Sequence, residues 1–463
     1  MEVILTISAI SPNIGVRRWW EYNELMNGLQ FYLPCYDVDQ QGYALSYDGN
    51  DLLANATADW RSGDSQGTFE RVFRSSSVAN NQTLFASADT GTDTSFLWIY
   101  VAQTTGKVTI STQDAAGTVN TVAGGTNICD GKDKHIVVTT DGSAWVIYIN
   151  GVAESLSVGA GSNTGDWLGD ITLRDNLTIG AITKTSTANY AIGVNGYTRI
   201  YSRVMAAAEA RTNYQRGHKA AASDATGLVF NLPLTEGTGN PVDTVGALTM
   251  TVTGATWIES LMDKSPNALA CSAFGIPTWG VTGRTFGGND SISLVNALAA
   301  MNSTTGAIFM WVKVPDATPA SVMSFLSVAI TTAIFWLSFR ISTVGELYAD
   351  CYISGVGQWL LDTDAQVFGD DTWACIGLVQ NGAEPVLYFN GTQPAQAFSI
   401  STNKTKWISH VSPTNGFIGK LYMNNVDNQL PLTGTIGEAL VYNRVPTFAE
   451  YQHYYQTTKW RYL

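Results

Sequence analysis

Hydrophobic and polar residues alternate along much of the chain, in short runs separated by glycine, asparagine, aspartate and threonine. The clearest example lies between positions 130 and 151, DGKDKHIVVTTDGSAWVIYING, where the alternation runs on both sides of Asp141-Gly142. A period of two is typical of strands that bury one face, and Asp-Gly is a strong hairpin-turn signal. The stretch therefore predicts a β-hairpin, which ends on a second turn at Asn150-Gly151.

The pattern of this hairpin returns between positions 369 and 391, as GDDTWACIGLVQNGAEPVLYFNG. The turn pairs Asn381-Gly382 and Asn390-Gly391 stand 240 positions after those of the first hairpin. Other segments repeat at similar offsets: TFGGNDSIS follows SYDGNDLLA by 239 positions, GAIFMWVK follows GTFERVFR by 239, and the closing runs are 241 apart. GLVFNLP, however, follows GLQFYLP by 199 positions. We infer that one module occurs twice, with extra residues near the start of the second copy.

Each copy contains many short strand patterns and one short helical pattern, and neither copy shows the strand–helix–strand rhythm of a parallel sheet. Such a pattern indicates antiparallel sheets packed in layers. The predicted fold class is therefore all-β, with two tandem antiparallel β-sandwich domains of the concanavalin A-like jelly-roll type. The expected boundaries are an N-terminal arm at 1–27, a first jelly roll at 28–217, a linker at 218–226 and a second jelly roll at 227–463.

Composition narrows the classes of function. The net charge is −13, which argues against a nucleic-acid partner or an anionic membrane surface. No apolar run is long enough to predict a transmembrane helix, and the apolar start MEVILTISAISP has no basic region before it, so a secretory signal is not expected. The cysteines are odd in number and show no CxxC spacing, which favours buried thiols in a reducing compartment: Cys35, Cys129, Cys271, Cys351 and Cys375.

Several segments together resemble the laminin-G-like branch of the concanavalin A-like jelly rolls. YDGND from position 47 and FGGND from position 286 are similar to the family's F-D-G-x-D-D pattern, and DGKDKH followed by YING is similar to its D-G-x-W-H-H-V and Y-V-D-G strands. GEALVYNRV, from position 437, resembles its closing I-D-E-V-R-I-Y-N-R run. The likeness covers residues 28–463. It implies a glycan- or protein-binding module, often with calcium, although this fold also carries enzymes and structural domains.

Calcium is the cofactor that the resemblance implies, and the sequence offers oxygen-bearing side chains in the repeated turn. Asp48, Asn50 and Asp51 could supply ligands in the first module. Asn289 and Asp290 are their counterparts in the second. The alternative is that these residues form turns in which the side chains bond their own backbone.

Tryptophans are the candidate sugar-stacking residues, because pyranose faces pack on exposed aromatic rings. Those in loop-like contexts are the predicted ligand-binding residues: Trp60, Trp167, Trp279 and Trp359. Those in strand patterns are predicted to lie in the core: Trp98, Trp311, Trp336 and Trp373.

The sequence contains no pattern that predicts catalysis. Jelly-roll glycosidases use carboxylates spaced as E-x-D-x-E on one strand, and that spacing is absent here. The four histidines are far apart, and the chain has no GxSxG, P-loop or HExxH motif. We therefore expect a protein that is not an enzyme.

The predicted function is structural: surface display on a bacteriophage virion, as a capsid decoration, fibre or spike component. The resemblance adds an expected capacity to bind cell-surface glycans. The arm at 1–27 would either pack on its own domain or dock on other virion proteins in an oligomeric assembly. The alternative is a secreted or cell-surface bacterial adhesin that binds carbohydrate, which would need an export route and would place the protein outside the cell.

Overall fold

The computed structural model describes residues 27–35, 42–115, 117–217, 220–259, 264, 265, 267, 269, 271–275 and 277–463. Apart from Asn27, the predicted arm at 1–27 lies outside the described residues. The described chain is built from antiparallel sheets with a few short helices, which confirms the all-β prediction. Among these residues, no helix combines the length and the apolarity needed to cross a membrane.

The described residues of the first half of the chain form sixteen strands and one α-helix. The strands are β1 (Leu29–Leu33), β2 (Tyr43–Asp48), β3 (Leu52–Asn55), β4 (Gly67–Arg74), β5 (Gln82–Ala88), β6 (Phe96–Val101), β7 (Lys107–Gln113), β8 (Asn120–Asn127), β9 (Lys134–Thr140), β10 (Trp145–Ile149), β11 (Val152–Ala153), β12 (Ser157–Ala160), β13 (Leu177–Ile179), β14 (Ile182–Thr183), β15 (Thr187–Ala188) and β16 (Ile192–Tyr201). A 3-10 turn spans Leu168–Asp170, and helix α1 spans Ala207–Arg216.

In the second half, the residues that the structure describes form nineteen strands and three α-helices. The strands are β17 (Leu228–Leu232), β18 (Thr251–Thr253), β19 (Thr256–Glu259), β20 (Ser272–Phe274), β21 (Thr278–Gly280), β22 (Gly283–Gly287), β23 (Ser291–Ser293), β24 (Gly306–Lys313), β25 (Met323–Ala329), β26 (Trp336–Ile341), β27 (Leu347–Ile353), β28 (Val356–Thr363), β29 (Trp373–Gln380), β30 (Pro385–Phe389), β31 (Gln396–Ser401), β32 (Asn415–Ile418), β33 (Leu421–Met423), β34 (Val426–Gln429) and β35 (Thr433–Tyr442). The helices are α2 (Leu298–Met301), α3 (Ile408–Val411) and α4 (Phe448–Thr458), with 3-10 turns at Val295–Ala297 and Lys459–Arg461.

Four large sheets form two sandwiches. In the first sandwich, sheet I has the order β11-β10-β9-β4-β16-β2-β19, with β17 also on β16, and it faces sheet II, β12-β8-β7-β6-β5-β13-β3-β18. In the second, sheet III has the order β21-β22-β35-β24-β29-β30, with β1 also on β35, and it faces sheet IV, β20-β23-β32-β25-β26-β27-β28-β31. Each pair of sheets encloses one apolar core. Read strand by strand, the second sandwich repeats the first.

The two predicted hairpins are confirmed as β9–β10 and β29–β30, and their second turns match atom for atom. The amide N–H of Asn150 donates to His135 O at 2.8 Å, and Asn150 Oδ1 accepts from the His135 N–H at 3.0 Å. Asn390 exchanges the same two bonds with Cys375, each at 2.8 Å. Both asparagines have positive φ angles, 52° and 47°, which Asn tolerates better than most residues. The duplication inferred from the turn spacing is therefore present at the level of hydrogen bonds.

The strand from the GLQFYLP repeat differs from expectation in its partner. Strand β1 falls within the predicted first jelly roll, 28–217, but it pairs with β35 of the second sandwich, where Phe31 lies opposite Val441. Strand β17 falls within the predicted second jelly roll, 227–463, but it pairs with β16 of the first. Strands β18 and β19 also join the first sandwich, on β3 and β2.

The sheets therefore divide the chain differently from the predicted boundaries. The physical reason is that β1 and β17 share one alternating pattern, and their partners β35 and β16 are themselves repeats. A repeated pattern predicts that a segment forms a strand, but it does not determine which of two similar sheets that strand joins.

One outer face of each sandwich is covered by the helix that follows its closing strand. Helix α1 packs on sheet I through Ala210, beside Tyr201 and Met205. Helix α4 packs on sheet III through Tyr451 and Tyr454. Because helices α1 and α4 lie on sheets I and III, they do not cover the opposite outer faces, those of sheets II and IV.

Candidate functional site

The outer face of sheet IV carries aromatic and polar side chains on two neighbouring strands. Strand β26 alternates, so that Leu337, Phe339 and Ile341 enter the core while the intervening residues point the other way. Strand β27 alternates in the same manner. Three directly opposed pairs result, which we call the aromatic–polar face: Trp336 with Tyr352, Ser338 with Asp350, and Arg340 with Tyr348.

The aromatic part of this face is a stacked pair. The rings of Trp336 and Tyr352 have centroids 4.2 Å apart and an interplanar angle of 12°. Both side chains are half-buried, so part of each remains exposed to solvent. Trp336 is fixed in this orientation because its Nε1–H points to both carboxylate oxygens of Asp350, each at 3.1 Å. The result is a rigid apolar surface with polar groups beside it.

Asp350 is the centre of the polar part. Its carboxylate is 2% exposed and also accepts from Ser338 Oγ at 2.8 Å and from the Arg340 guanidinium. Arg340 lies over the ring of Tyr348, with Cζ 5.0 Å from the centroid. Burial, reinforced by the Asp350 charge, raises the pKa of Tyr348 above its usual value. Asp350 is thus paired and hydrogen-bonded, which makes it a positioning group rather than an acid or base.

A second carboxylate borders the face. Asp362 on β28 lies directly opposite Tyr348, and it is half-buried. Burial, followed by the neighbouring charge of Glu346, raises the pKa of Asp362. On the other side, Ser327 Oγ donates to Lys420 O at 2.6 Å, which ties β25 to the segment that enters hairpin β33–β34. The face therefore has a polar border on both sides.

The equivalent strands of the first sandwich, β6 and β7, also carry an aromatic face, where Lys184 Nζ lies 4.8 Å from the ring centroid of Phe96. Trp98 stacks on Tyr100 with centroids 3.7 Å apart and an interplanar angle of 14°, and Trp98 Nε1 donates to Thr83 Oγ1 at 3.0 Å. Opposite these rings lie Ser111 and Thr109. Each sandwich thus presents a stacked aromatic pair on its outer face, but Trp98 and Tyr100 occupy the places of Ser338 and Arg340 rather than those of Trp336 and Tyr352.

The predicted ligand-binding tryptophans are placed differently from one another. Trp60 is half-buried and meets Phe230 edge-on at 6.1 Å, and Trp279 is half-buried on β21. Trp167 and Trp359 are fully buried in the two cores. The structure corrects the prediction for these last two, because a ring at 0% exposure offers no face to a sugar.

Among the tryptophans predicted to be core, Trp311 is fully buried, whereas Trp98 and Trp336 stand on the outer faces of sheets II and IV. The signal that could have found Trp336 is the strand alternation itself. In WLSFRI, the partners of Trp336 two and four positions on are Ser338 and Arg340, whereas the intervening positions are all apolar. A tryptophan in phase with serine and arginine belongs to the polar face.

The residues of the first predicted calcium site lie together in the turn between β2 and β3. Asp51 Oδ2 accepts from the Asp48 backbone N–H at 2.7 Å. With its amide nitrogen turned towards the carboxylates, Asn50 donates to Asp51 Oδ1 at 2.8 Å and to Asp48 Oδ1 at 2.7 Å. Asp51 is 3% exposed, and burial raises its pKa. The oxygens that would bind calcium are engaged in the hydrogen bonds of a turn.

The second predicted site repeats this turn. Asp290 Oδ2 accepts from the Gly287 N–H at 2.7 Å, the same bond as in the first module. Asn289 Oδ1 accepts from Asn428 Nδ2 at 3.3 Å. Across the part of the chain that the structure describes, no three His, Cys, Asp or Glu side chains are grouped as metal ligands. Calcium binding stays a prediction, and no chemistry is derived through it.

Sequence reasoning missed two buried carboxylates beneath the helices. Glu70 on β4 is fully buried and accepts from Tyr197 OH and Tyr201 OH, each at 2.9 Å, with His135 Nε2 also at 2.9 Å and Arg199 Nη1 at 3.5 Å. Burial alone would raise its pKa, but the hydrogen bond and charge of His135 and the charge of Arg199 outweigh burial and lower the pKa to about 2.

Glu438 on β35 is the corresponding buried acid of the second sandwich. It accepts from Tyr32 OH at 2.9 Å and from Tyr454 OH at 3.0 Å, and Arg461 Nη1 lies 3.7 Å away. Both acids are 0% exposed and belong to sheets I and III, on the opposite side from the aromatic–polar face. They hold helices and strands together rather than meeting a substrate.

No protein-family model matches the sequence, and no curated protein matches it. The structure is similar to parts of solved structures. They include the CBM40 of Ruminococcus gnavus IT-sialidase bound to α2,3 sialyllactose (20% identity, 37% of this chain, 92% of that chain, TM-score 0.31), the NanB sialidase of Streptococcus pneumoniae (15%, 36%, 26%, 0.32) and a leech intramolecular trans-sialidase (21%, 34%, 24%, 0.30). This chain spans about a quarter of the length of the two sialidases. At these TM-scores the matches carry no conclusion about function.

Proposed function

We propose that this chain is a non-catalytic glycan-binding protein whose binding surface is the aromatic–polar face of sheet IV. The observation that carries the proposal is the stacked Trp336–Tyr352 pair, held rigid by Asp350 and flanked by polar side chains. Sugars present an apolar C–H face that packs on aromatic rings, and hydroxyl groups that bond with neighbouring polar groups. A rigid aromatic platform with a polar border suits both needs.

The carboxylates support binding rather than hydrolysis. Glycoside hydrolysis uses two carboxyl groups on either side of the scissile bond, one as acid and one as nucleophile or base. Asp350 already accepts from three side chains, including the Arg340 guanidinium, so its oxygens are engaged in positioning those side chains. Asp362 alone remains with a raised pKa and partial exposure. One such group is insufficient for the reaction.

The test is a glycan array with the full-length chain, followed by titration of any ligand found. Trp336→Ala should weaken binding by about 5- to 150-fold, because an aromatic ring that packs on a sugar contributes about 1–3 kcal/mol. The matched control is Trp460→Ala, since Trp460 is 62% exposed and far along the chain from this face. An array without a ligand, or a ligand that binds Trp336→Ala as well as wild type, would contradict the proposal.

We further propose that glycan binding serves surface display on a bacteriophage particle, as a decoration, fibre or spike, with residues 1–27 as the docking arm. The low fraction of charged residues, 14%, and the two tandem sandwiches support an outward-facing role. A bacterial surface adhesin accommodates the same binding face equally well. Mass spectrometry of purified particles and of washed host cells distinguishes the two, since the display role requires stoichiometric protein in the particle.

A further inference from the structure

The core of the first sandwich contains three polar side chains on neighbouring strands of sheet I. Tyr47 on β2, Asn195 on β16 and Arg71 on β4 are 2%, 1% and 0% exposed. Asn195 lies opposite Leu45 on one side and Phe73 on the other, and both of those residues belong to the apolar core. The three polar groups therefore point inward, towards sheet II.

Little of their hydrogen-bonding capacity is used within the protein. The Arg71 guanidinium donates through Nη1 to Leu84 O on the facing sheet. Among the residues that the structure describes, the donors Arg71 Nε, Arg71 Nη2 and Asn195 Nδ2, the Tyr47 hydroxyl and the acceptor Asn195 Oδ1 make no hydrogen bond to any group outside this set. Buried polar groups of folded proteins are almost always partnered, so a set of orphan donors points to a bound species.

The charge of Arg71 is also uncompensated by described carboxylates. The described ion pairs leave Arg71 out, and its guanidinium Cζ lies 5.8 Å from the ring centroid of Phe73. Burial lowers the pKa of Arg71 to about 10, which still leaves the side chain charged at neutral pH. An isolated buried cation is strongly unfavourable unless an anion accompanies it.

The second sandwich shows that the fold does not require these groups. Its residues at the equivalent positions of β24, β35 and β22 are Met310, Ile436 and Phe286, all 0% exposed and all part of the apolar core. Replacing a buried charge by apolar groups of similar volume is often neutral or stabilising. The polar set is therefore a particular feature of the first sandwich.

We propose that the core of the first sandwich binds one small monovalent anion, of the size of chloride, between Arg71, Tyr47 and Asn195. Guanidinium N–H, phenol O–H and amide N–H groups are all donors, and an anion accepts from each of them. A water molecule would accept some of these bonds but would leave the charge of Arg71 uncompensated. An anion accepts from these donors and also compensates the charge of Arg71.

Bromide gives a direct test, because it replaces chloride and scatters anomalously. Crystals of the full-length protein grown in sodium bromide should show an anomalous peak within hydrogen-bonding distance of Arg71 Nε and Tyr47 OH. Arg71→Met, which installs the residue of the second sandwich, should remove the peak. Absence of the peak in wild type, or its persistence in Arg71→Met, would overturn the proposal.

Thermal unfolding gives an independent test that does not depend on Arg71→Met. Sodium chloride should raise the wild-type Tm by about 5 °C over sodium gluconate of equal ionic strength, as expected for saturation of a ligand site. Tyr47→Phe should fold, because Phe286 fills its place in the second sandwich, and should lose most of this shift. The control is Arg174→Lys: Arg174 is equally buried but bonds to Ile171, Ser87, Trp60 and Leu168, so the chloride shift should remain. Equal wild-type melting in the two salts would exclude the anion.

Discussion

The hydroxyl of Tyr32 donates a 2.9 Å hydrogen bond to the carboxylate of Glu438, across 406 residues of sequence. This bond joins strand β1 to the closing strand of the second sandwich. At the matching place in the first sandwich, Asn231 on β17 accepts from Arg199 Nε at 3.3 Å. If β1 and β17 exchanged places, Tyr32 would lie beside Arg199, and Glu438 would lose a donor. Single side chains on each strand therefore select its partner.

The pairing of β1 with β35 and of β17 with β16 predicts which fragments stay associated after the chain is cleaved. A protease site inserted after Cys35 and another inserted after Glu259 would cut the folded chain into three pieces. We expect the N-terminal piece to co-elute with the C-terminal piece on size exclusion, because β1 is hydrogen-bonded to β35. Tyr32→Asn, which copies Asn231, should weaken this association. Co-elution of the N-terminal piece with the middle piece would show that β1 belongs to the first sandwich.

Glu70 predicts the acid side of the stability profile. Its folded pKa of about 2 lies below the ordinary value of 4.5, so its contribution to stability is complete above pH 4.5 and is lost as the pH falls towards 2. A shift of this size corresponds to about 3 kcal/mol at neutral pH. We expect urea unfolding at pH 7 to show Glu70→Gln less stable than wild type by roughly that amount. The two proteins should converge near pH 2, and a difference independent of pH would contradict this assignment.

The turn aspartates predict how calcium should behave. Asp51→Ala removes the acceptor for the Asp48 N–H, a part-buried bond whose loss costs about 1 kcal/mol. We expect this loss in EDTA and in calcium alike, because the bond is internal to the turn. Asp290→Ala should behave in the same way, since it accepts from Gly287. A wild-type Tm that rises with calcium, and no longer rises in Asp51→Ala, would instead support the predicted calcium site.

The repeated turns and strand patterns were sufficient to predict two antiparallel sandwiches, because local features such as Asn150 and Asn390 act within a few residues of themselves. Partner choice was not predictable in this way, since the bond between Tyr32 and Glu438 depends on residues from opposite ends of the chain. The aromatic–polar face, by contrast, is predictable from the sequence in principle. Trp336 is in phase with Ser338 and Arg340, which indicates the polar face of a strand, whereas the loop-like context of Trp359 predicts exposure for a residue that is buried.

The ion pair of the aromatic–polar face allows stability and binding to be separated. The first sandwich has Tyr100 and Ser111 at the places of Arg340 and Asp350, so that sheet is stable without the charges. Asp350→Ser alone should destabilise the protein by about 3 kcal/mol, because it leaves the Arg340 guanidinium, 8% exposed, without its anion. Adding Arg340→Tyr should restore most of the stability measured by urea unfolding. Glycan binding should stay lost in the double variant, since Trp336 no longer has the carboxylate that orients it, and wild-type binding by that variant would show that the face is not the site.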